Sequence, residues 1–249
     1  MSRVVELANN RRVIDDAAFV LQTWDWKETS LLVEFFTLTH GKVIAVARGA
    51  KRPSSHFRGI LTPFSPLKIS FSGQNDVKNL SKAQWMGGFF PIEGEALFSA
   101  FYVNELLVRL LVREDPLEGL FGSYVEVLKS LAQGEGSHEV ALRSFELDLM
   151  TALGYGLPES DEPWYWDGEE LKPLRDRFID VKQHILISTE MIEKLRQRDF
   201  SEADTLAFAK KLLRPMITHY VGEKPLNTRR ILQEYKRLLR INHEDETIC

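Results

Sequence analysis

The chain has 249 residues, 44% of them hydrophobic and 27% charged, enough for one large domain or two small ones. No stretch approaches the ~18 apolar residues that a membrane span requires, and Arg3, Glu6, Arg11 and Arg12 interrupt what would have to be the apolar core of a secretory signal. A cytoplasmic location is expected. The single cysteine, Cys249, argues against disulfides and against a multi-cysteine zinc site.

In chain order, residues 1–16 read as an extension outside the folded part, expected to be flexible. Residues 17–88 follow with period-two alternation and β-forming residues. Strands are expected near 19–23, 30–37, 43–46, 67–71 and 77–85. The turn-like Thr39-His40-Gly41 and Ser72-Gly73-Gln74-Asn75-Asp76 separate them, as suits hairpins in a small antiparallel barrel. The long gap from 47 to 66 holds Gly49, Pro53, Gly59, Pro63 and Pro66 and reads as loop.

Around Gly87-Gly88 and Pro91 the pattern changes to helical periods, which places a second, helical domain over 89–240. Residues 95–114, 117–132 and 139–153 read as three core-facing helices. Residues 155–187, with prolines, tryptophans and acids, read as an irregular connection that ends in a short strand or buried edge. Ser201-Glu202-Ala203-Asp204 matches a helix-start signature for a helix that Pro215 should kink. Residues 228–240 read as a final basic helix, and 241–249 as a frayed tail. The fold class is thus α+β, a five-stranded barrel followed by helices.

Net charge is −4, but it is unevenly spread. Between residues 35 and 75 there are six basic side chains (Lys42, Arg48, Lys51, Arg52, Arg58, Lys68) and no acid, whereas 89–170 holds four basic and seventeen acidic residues. From 206 to 240 nine basic residues face two glutamates. A polyanion would meet two positive surfaces on an acidic protein, although a basic run also fits a solubilising face. Phe57, flanked by Arg52, His56 and Arg58, is a candidate to stack on a base. Phe19, Phe35, Phe64, Phe71 and Trp85 are expected in the core. Trp24 and Trp26 could share an exposed face, with core burial expected for at least one of them.

The chain contains no phosphate-binding loop, dinucleotide glycine fingerprint, nucleophile elbow or zinc-protease motif. The six histidines are scattered, and the adjacent acids Asp161-Glu162 and Glu169-Glu170 read as solvated loop residues. Neither catalysis nor a metal or other cofactor is expected.

Several segments resemble one known family when taken in order. Phe19-Val20-Leu21, Glu28-Thr29-Ser30-Leu31-Leu32, Gly41-Lys42, Ala47-Arg48-Gly49-Ala50-Lys51 and Leu61-Thr62-Pro63-Phe64 are similar to the oligonucleotide-binding (OB-fold) domain of the RecO family. Tyr102-Val103-Asn104-Glu105-Leu106-Leu107, Leu142-Arg143-Ser144-Phe145-Glu146, Leu153-Gly154-Tyr155-Gly156 and Gly222-Glu223-Lys224-Pro225-Leu226 continue the likeness downstream. The resemblance implies a recombination mediator of the RecF pathway, nucleoid-associated, that binds single- and double-stranded DNA and anneals complementary strands. It further implies partners: single-strand-binding protein, through that protein's acidic, phenylalanine-ended tail, and RecR, with which it helps load RecA. Many family members carry a four-cysteine zinc site after the Leu-Gly-Tyr segment, and this chain has no cysteine there.

On this reading Lys42, Arg48, Lys51, Arg52, Arg58 and Phe57 are candidate DNA contacts, with Lys224, Arg229 and Arg230 forming a second surface. Lys210, Lys211, Arg214, Arg109 and Arg113 are candidates for the tail site, with Lys210 and Arg214 favoured beside Leu213 or Ile217. The competing reading is an adaptor whose barrel does not touch DNA.

Overall fold

The computed structural model describes residues 12–88, 91–134, 138–175, 180 and 183–245. Packing divides the chain into two units: residues 1–90 with 111–121, and residues 91–110 with 122–249.

The first unit is a closed barrel of β1 (Arg12–Trp26), β2 (Ser30–Thr37), β3 (Gly41–Ala47), β4 (Leu67–Ser72) and β5 (Val77–Trp85), in the order β1-β2-β3-β5-β4. The long β1 pairs antiparallel with both β2 and β4, and irregularities at Val13/Asp16 and Val20/Gln22 bend it between these neighbours. Arg12 to Asp16 are therefore paired strand and not flexible extension; the expectation for residues 1–11 lies outside the described residues. The barrel closes through a parallel contact of β3 with β5, from Ile44 opposite Val77 to Val46 opposite Asn79. Period-two alternation shows that a strand exists but not its direction, so the sequence pattern alone suggested hairpins throughout. Val20, Val33, Phe35, Val43, Ala45, Leu67 and Ile69 fill the interior.

Residues 111–121, expected to belong to helices of the second domain, pack with the barrel instead. Phe121 sits 5.7 Å from Phe19 and 5.3 Å from Phe36, ring centre to ring centre, covering apolar side chains on the outside of β1 and β2. The Glu114 amide donates to the Lys42 carbonyl (3.0 Å), and Lys78 pairs with Glu114 at 2.5 Å. Gly41, at φ +64°, makes the approach possible: a Cβ there would lie 2.0 Å from the Asp115 carbonyl oxygen.

The second unit contains α1 (Gly94–Leu110), α2 (Glu118–Gln133) from Gly122 onward, α3 (His138–Ala152), α4 (Thr189–Arg196), α5 (Ala203–Val221) and α6 (Asn227–Asp245). Three-residue strands β6 (Trp164–Trp166), β7 (Leu171–Pro173) and β8 (Ile185–Ile187) form a small sheet with β6 in the centre. Strands this short carry no readable period, which is why their span read as irregular.

Three helical expectations need correction. Helix α4, capped by the Ser188 hydroxyl accepting from the Met191 amide, was not foreseen. The N-cap of α5 is Glu202, whose side chain makes no capping bond, so the Ser201 signature is not used. Helix α6 continues to Asp245, past the expected fraying point. Pro215 lies inside α5, which runs on to Val221.

Candidate nucleic-acid surface and cationic pocket

The loop between β3 and β4 is built as a plug with a charged outer side. Successive short turns join Arg52 to Gly49, Ser55 to Arg52 and Arg58 to Ser55. Ala50, Phe57 and Leu61 thereby turn inward and close one part of the barrel core. The exposed side is left to Arg48, Lys51, Arg52 and Arg58. Two bonds tie this loop to the β1–β2 turn: the Lys51 amide to the Thr29 carbonyl (2.9 Å) and the Gly49 amide to the Ser30 hydroxyl (3.2 Å). Lys51 also pairs with the exposed Asp25 at 2.9 Å. Arg48, Arg52 and Arg58 have no carboxylate partner among the described residues.

Two expected DNA contacts are thereby removed. Phe57 is core, 4% exposed: an aromatic among arginines proves to be the apolar side of an amphipathic loop. Lys42, 5% exposed, lies on β3 beneath residues 111–121, with its ammonium 3.7 Å from the buried Glu34. Burial pulls its pKa below the usual lysine value, against the attraction of Glu34. Among the aromatics expected in the core, Trp85 is exposed, and Phe64 occupies a left-handed backbone position (φ +66°) in the loop, half-buried. Trp24 and Trp26 are both exposed.

The second unit holds a cavity of about 270 Å³ between α1, α3, α5 and α6. Phe98, Leu142 and Leu232 give it apolar walls; Arg143, Lys210, Arg214 and Arg229 give it four cations. A chain of buried polar contacts holds two of the arginines. The Tyr102 hydroxyl donates to Glu146 Oε1 at 2.6 Å, Arg143 pairs with the same oxygen at 2.8 Å, and Arg229 donates to the Tyr102 oxygen at 3.2 Å. Arg229 also lies 5.4 Å over the Tyr102 ring, a favourable cation–π position. Glu146 is fully buried, which raises its pKa against the opposing pull of Arg143, and burial likewise pushes the Tyr102 hydroxyl far up. The Nε of Arg143 is buried without a hydrogen-bond partner among the described residues. At the rim Lys210 pairs with Glu139 at 2.6 Å, a surface contact that an incoming anion could replace at little cost.

Of the residues expected at a tail site, Lys210 and Arg214 line this cavity, whereas Lys211 is exposed elsewhere on α5. Leu213 and Ile217 are core residues, 1% and 0% exposed, because their face of α5 is turned into the unit. Arg109 is committed to the carbonyls of Lys224 (2.6 Å) and Val221 (3.4 Å). Arg113 belongs to the barrel unit, bridged to Lys42. Arg229, expected on a second DNA surface, is a cavity residue, which leaves Lys224 and Arg230 exposed there.

Phe98, Leu142, Leu232 and Arg143 were not foreseen as site residues. The available signal was Arg143, the only basic residue of α3, set among apolar positions. Two of the downstream motifs, those that begin at Tyr102 and at Leu142, contribute to the cavity. Tyr102, Arg143 and Glu146 form its polar network, while Glu105 accepts the amides of Asn227 (2.8 Å) and Thr228 (2.9 Å) and so anchors the start of α6. Among the described residues no group of three or more histidine, cysteine, aspartate or glutamate side chains converges as a metal site, and no helix is long and apolar enough to cross a membrane.

The model of the Recombination protein O N-terminal domain matches residues 12–89, and that of the Recombination protein O C-terminal domain matches residues 93–163. The chain is 39% identical to the DNA repair protein RecO of Aromatoleum aromaticum over 251 residues, covering 93% of this chain and all of that one. It is 38% identical to the DNA repair protein RecO of Burkholderia orbicola (95% of this chain, 88% of the relative) and 37% identical to that of Thiobacillus denitrificans (95% and 98%). With two matching domain models on a barrel-then-helices architecture and such relatives along nearly its whole length, the chain belongs to the RecO family.

Proposed function

We propose that this protein works in DNA repair as a recombination mediator without catalytic chemistry. It binds single- and double-stranded DNA, anneals complementary strands, and is brought to DNA by the tail of single-strand-binding protein before acting with RecR to promote RecA loading. The observation that carries the reading is the cavity of the second unit. An acidic peptide that ends in phenylalanine needs an apolar hollow for its ring and cations for its carboxylates, and Phe98, Leu142 and Leu232 beside Arg143, Lys210, Arg214 and Arg229 supply both. The barrel supports the DNA half: Arg48, Arg52 and Arg58 stand outward on a loop without acids, the arrangement that binds a phosphate backbone while leaving base edges free to pair.

Fluorescence anisotropy with a labelled acidic hexapeptide ending in phenylalanine tests the pocket. Wild type binds, and the double charge reversal K210E/R214E abolishes binding while DNA affinity stays within about threefold, under ~0.7 kcal/mol. Undiminished peptide binding by the double variant removes the cavity from the mechanism. Absence of salt-sensitive DNA binding by the wild type would instead favour an adaptor whose barrel does not touch DNA.

A further inference from the structure

Both Trp24 and Trp26 stand on the outside of the barrel, 40% and 44% exposed, although large aromatics in a small barrel ordinarily fill its core. Their register explains the exposure. Trp24 lies opposite Leu32 and Trp26 opposite Ser30. Leu31 and Val33, the alternate positions on β2, pack into the barrel core or against it. Side chains two apart on a strand share a face, so the two indoles project together from β1. Next to them Leu32 and Val46 are paired and half-buried, an apolar floor that continues the Trp24 row across three strands.

We propose that Trp24 and Trp26 form a base-stacking step for single-stranded DNA and give the barrel its preference for unpaired strands. Three observations carry the assignment. The first is spacing: residues two apart on a strand are separated by about 6.8 Å. That is about twice the ~3.4 Å repeat of stacked bases, so one base fits between the rings or one on each of them. The second is the neighbouring charge. Ser30, opposite Trp26, accepts the amide of Gly49, which brings the exposed Arg48 and the folded-back Arg52 side chain to the same end of the barrel. Phosphates flanking a stacked base therefore meet cations.

The third is the state of the nearby acids. Glu34 is buried against Lys42 and Gln22, and Asp25, pointing to the other face of β1, is paired with Lys51. Glu28 in the turn is exposed, as is Asp25 on the other face of β1. An apolar face meant for a protein edge would have no need of this cationic border, whereas single-stranded nucleic acid uses rings and cations together. Duplex DNA, whose bases are already stacked, gains nothing from the rings.

The inference rests on the barrel binding DNA, and the experiment separates the two claims. Affinities of wild type and of W24A/W26A are measured with a labelled mixed-sequence single strand and with its duplex, across a salt series. The double alanine variant loses single-strand affinity by at least about fivefold. The slope of log K against log salt stays unchanged, because no phosphate contact is lost, and duplex affinity stays within about threefold. W24F/W26F recovers most of the lost affinity, since a phenyl ring still stacks, yet loses most of the tryptophan quenching that wild type shows on saturation with the strand. Equal single-strand affinity of the alanine variant and wild type overturns the stacking assignment and leaves the cationic loop standing. A flattened salt slope in the alanine variant also overturns it, because the loss would then be electrostatic. Failure of wild type to bind single strands at all overturns both.

Discussion

Neutralising Arg48, Arg52 and Arg58 together to glutamine isolates the electrostatic share of DNA binding. These three guanidinium groups are exposed and without carboxylate partners among the described residues, so no intramolecular ion pair has to be broken before they meet phosphate. At roughly 0.7 counterions released per contact on a single strand, the slope of log K against log salt should flatten by about 2. Between roughly 50 and 200 mM salt, the ratio of wild-type to variant affinity should then shrink about 20-fold.

Lys42→Gln is the matched control, since it removes a positive charge only six residues from Arg48. Its ammonium is buried beside Glu34, so the slope should not change. Stability should fall instead, by about 3–5 kcal/mol, because a buried carboxylate loses its partner. Anisotropy of a labelled oligonucleotide at four or five salt concentrations reads the slopes, and urea unfolding reads the stability. A triple variant with the wild-type slope would refute the phosphate assignment. A flattened slope in a well-folded Lys42→Gln protein would refute the burial argument.

Other consequences concern stability. Gly41→Ala should cost about 3 kcal/mol or more in urea unfolding, since left-handed backbone alone costs ~1–2 kcal/mol for a non-glycine residue and the new Cβ would meet the Asp115 backbone at 2.0 Å; a loss below about 1 kcal/mol would mean that residues 111–121 are not held as described. Glu105 is desolvated, but the Thr228 amide and hydroxyl, the Asn227 amide and Arg109 outweigh that cost and hold its pKa below the ordinary carboxylate value. Its stabilisation is therefore complete above about pH 4.5 and is lost as pH falls through the lowered folded-state value. Glu105→Gln should cost about 1–2 kcal/mol at pH 7, with the deficit fading below about pH 4; thermal melts across pH that show a constant deficit would argue against the charged cap. Elemental analysis after dialysis should find no stoichiometric metal, and chelator should leave the melting temperature unchanged; one zinc per chain would contradict this.

The barrel was legible in the sequence because its strands are rich in β-forming residues. That pattern marked β2, β4 and β5 almost residue by residue, and turn residues separated them. Amphipathic periods likewise marked α1, α2 and α3 to within a few residues. Composition along the chain located the basic loop, and the ordered motifs carried the family resemblance.

What the sequence could not disclose was which side of an element each charged or aromatic residue would take. Lys42 and Arg48 belong to one acid-free stretch, yet residues 111–121, distant in sequence, bury one and leave the other in solvent. Phe57 and Trp24 are both aromatics near cations, and only barrel closure makes the first a plug and leaves the second outside. The cationic pocket draws Phe98, Arg143, Arg214 and Arg229 from four helices. No local pattern marks such a convergence, because helix packing decides it, whereas periodicity and composition are properties of neighbours along the chain.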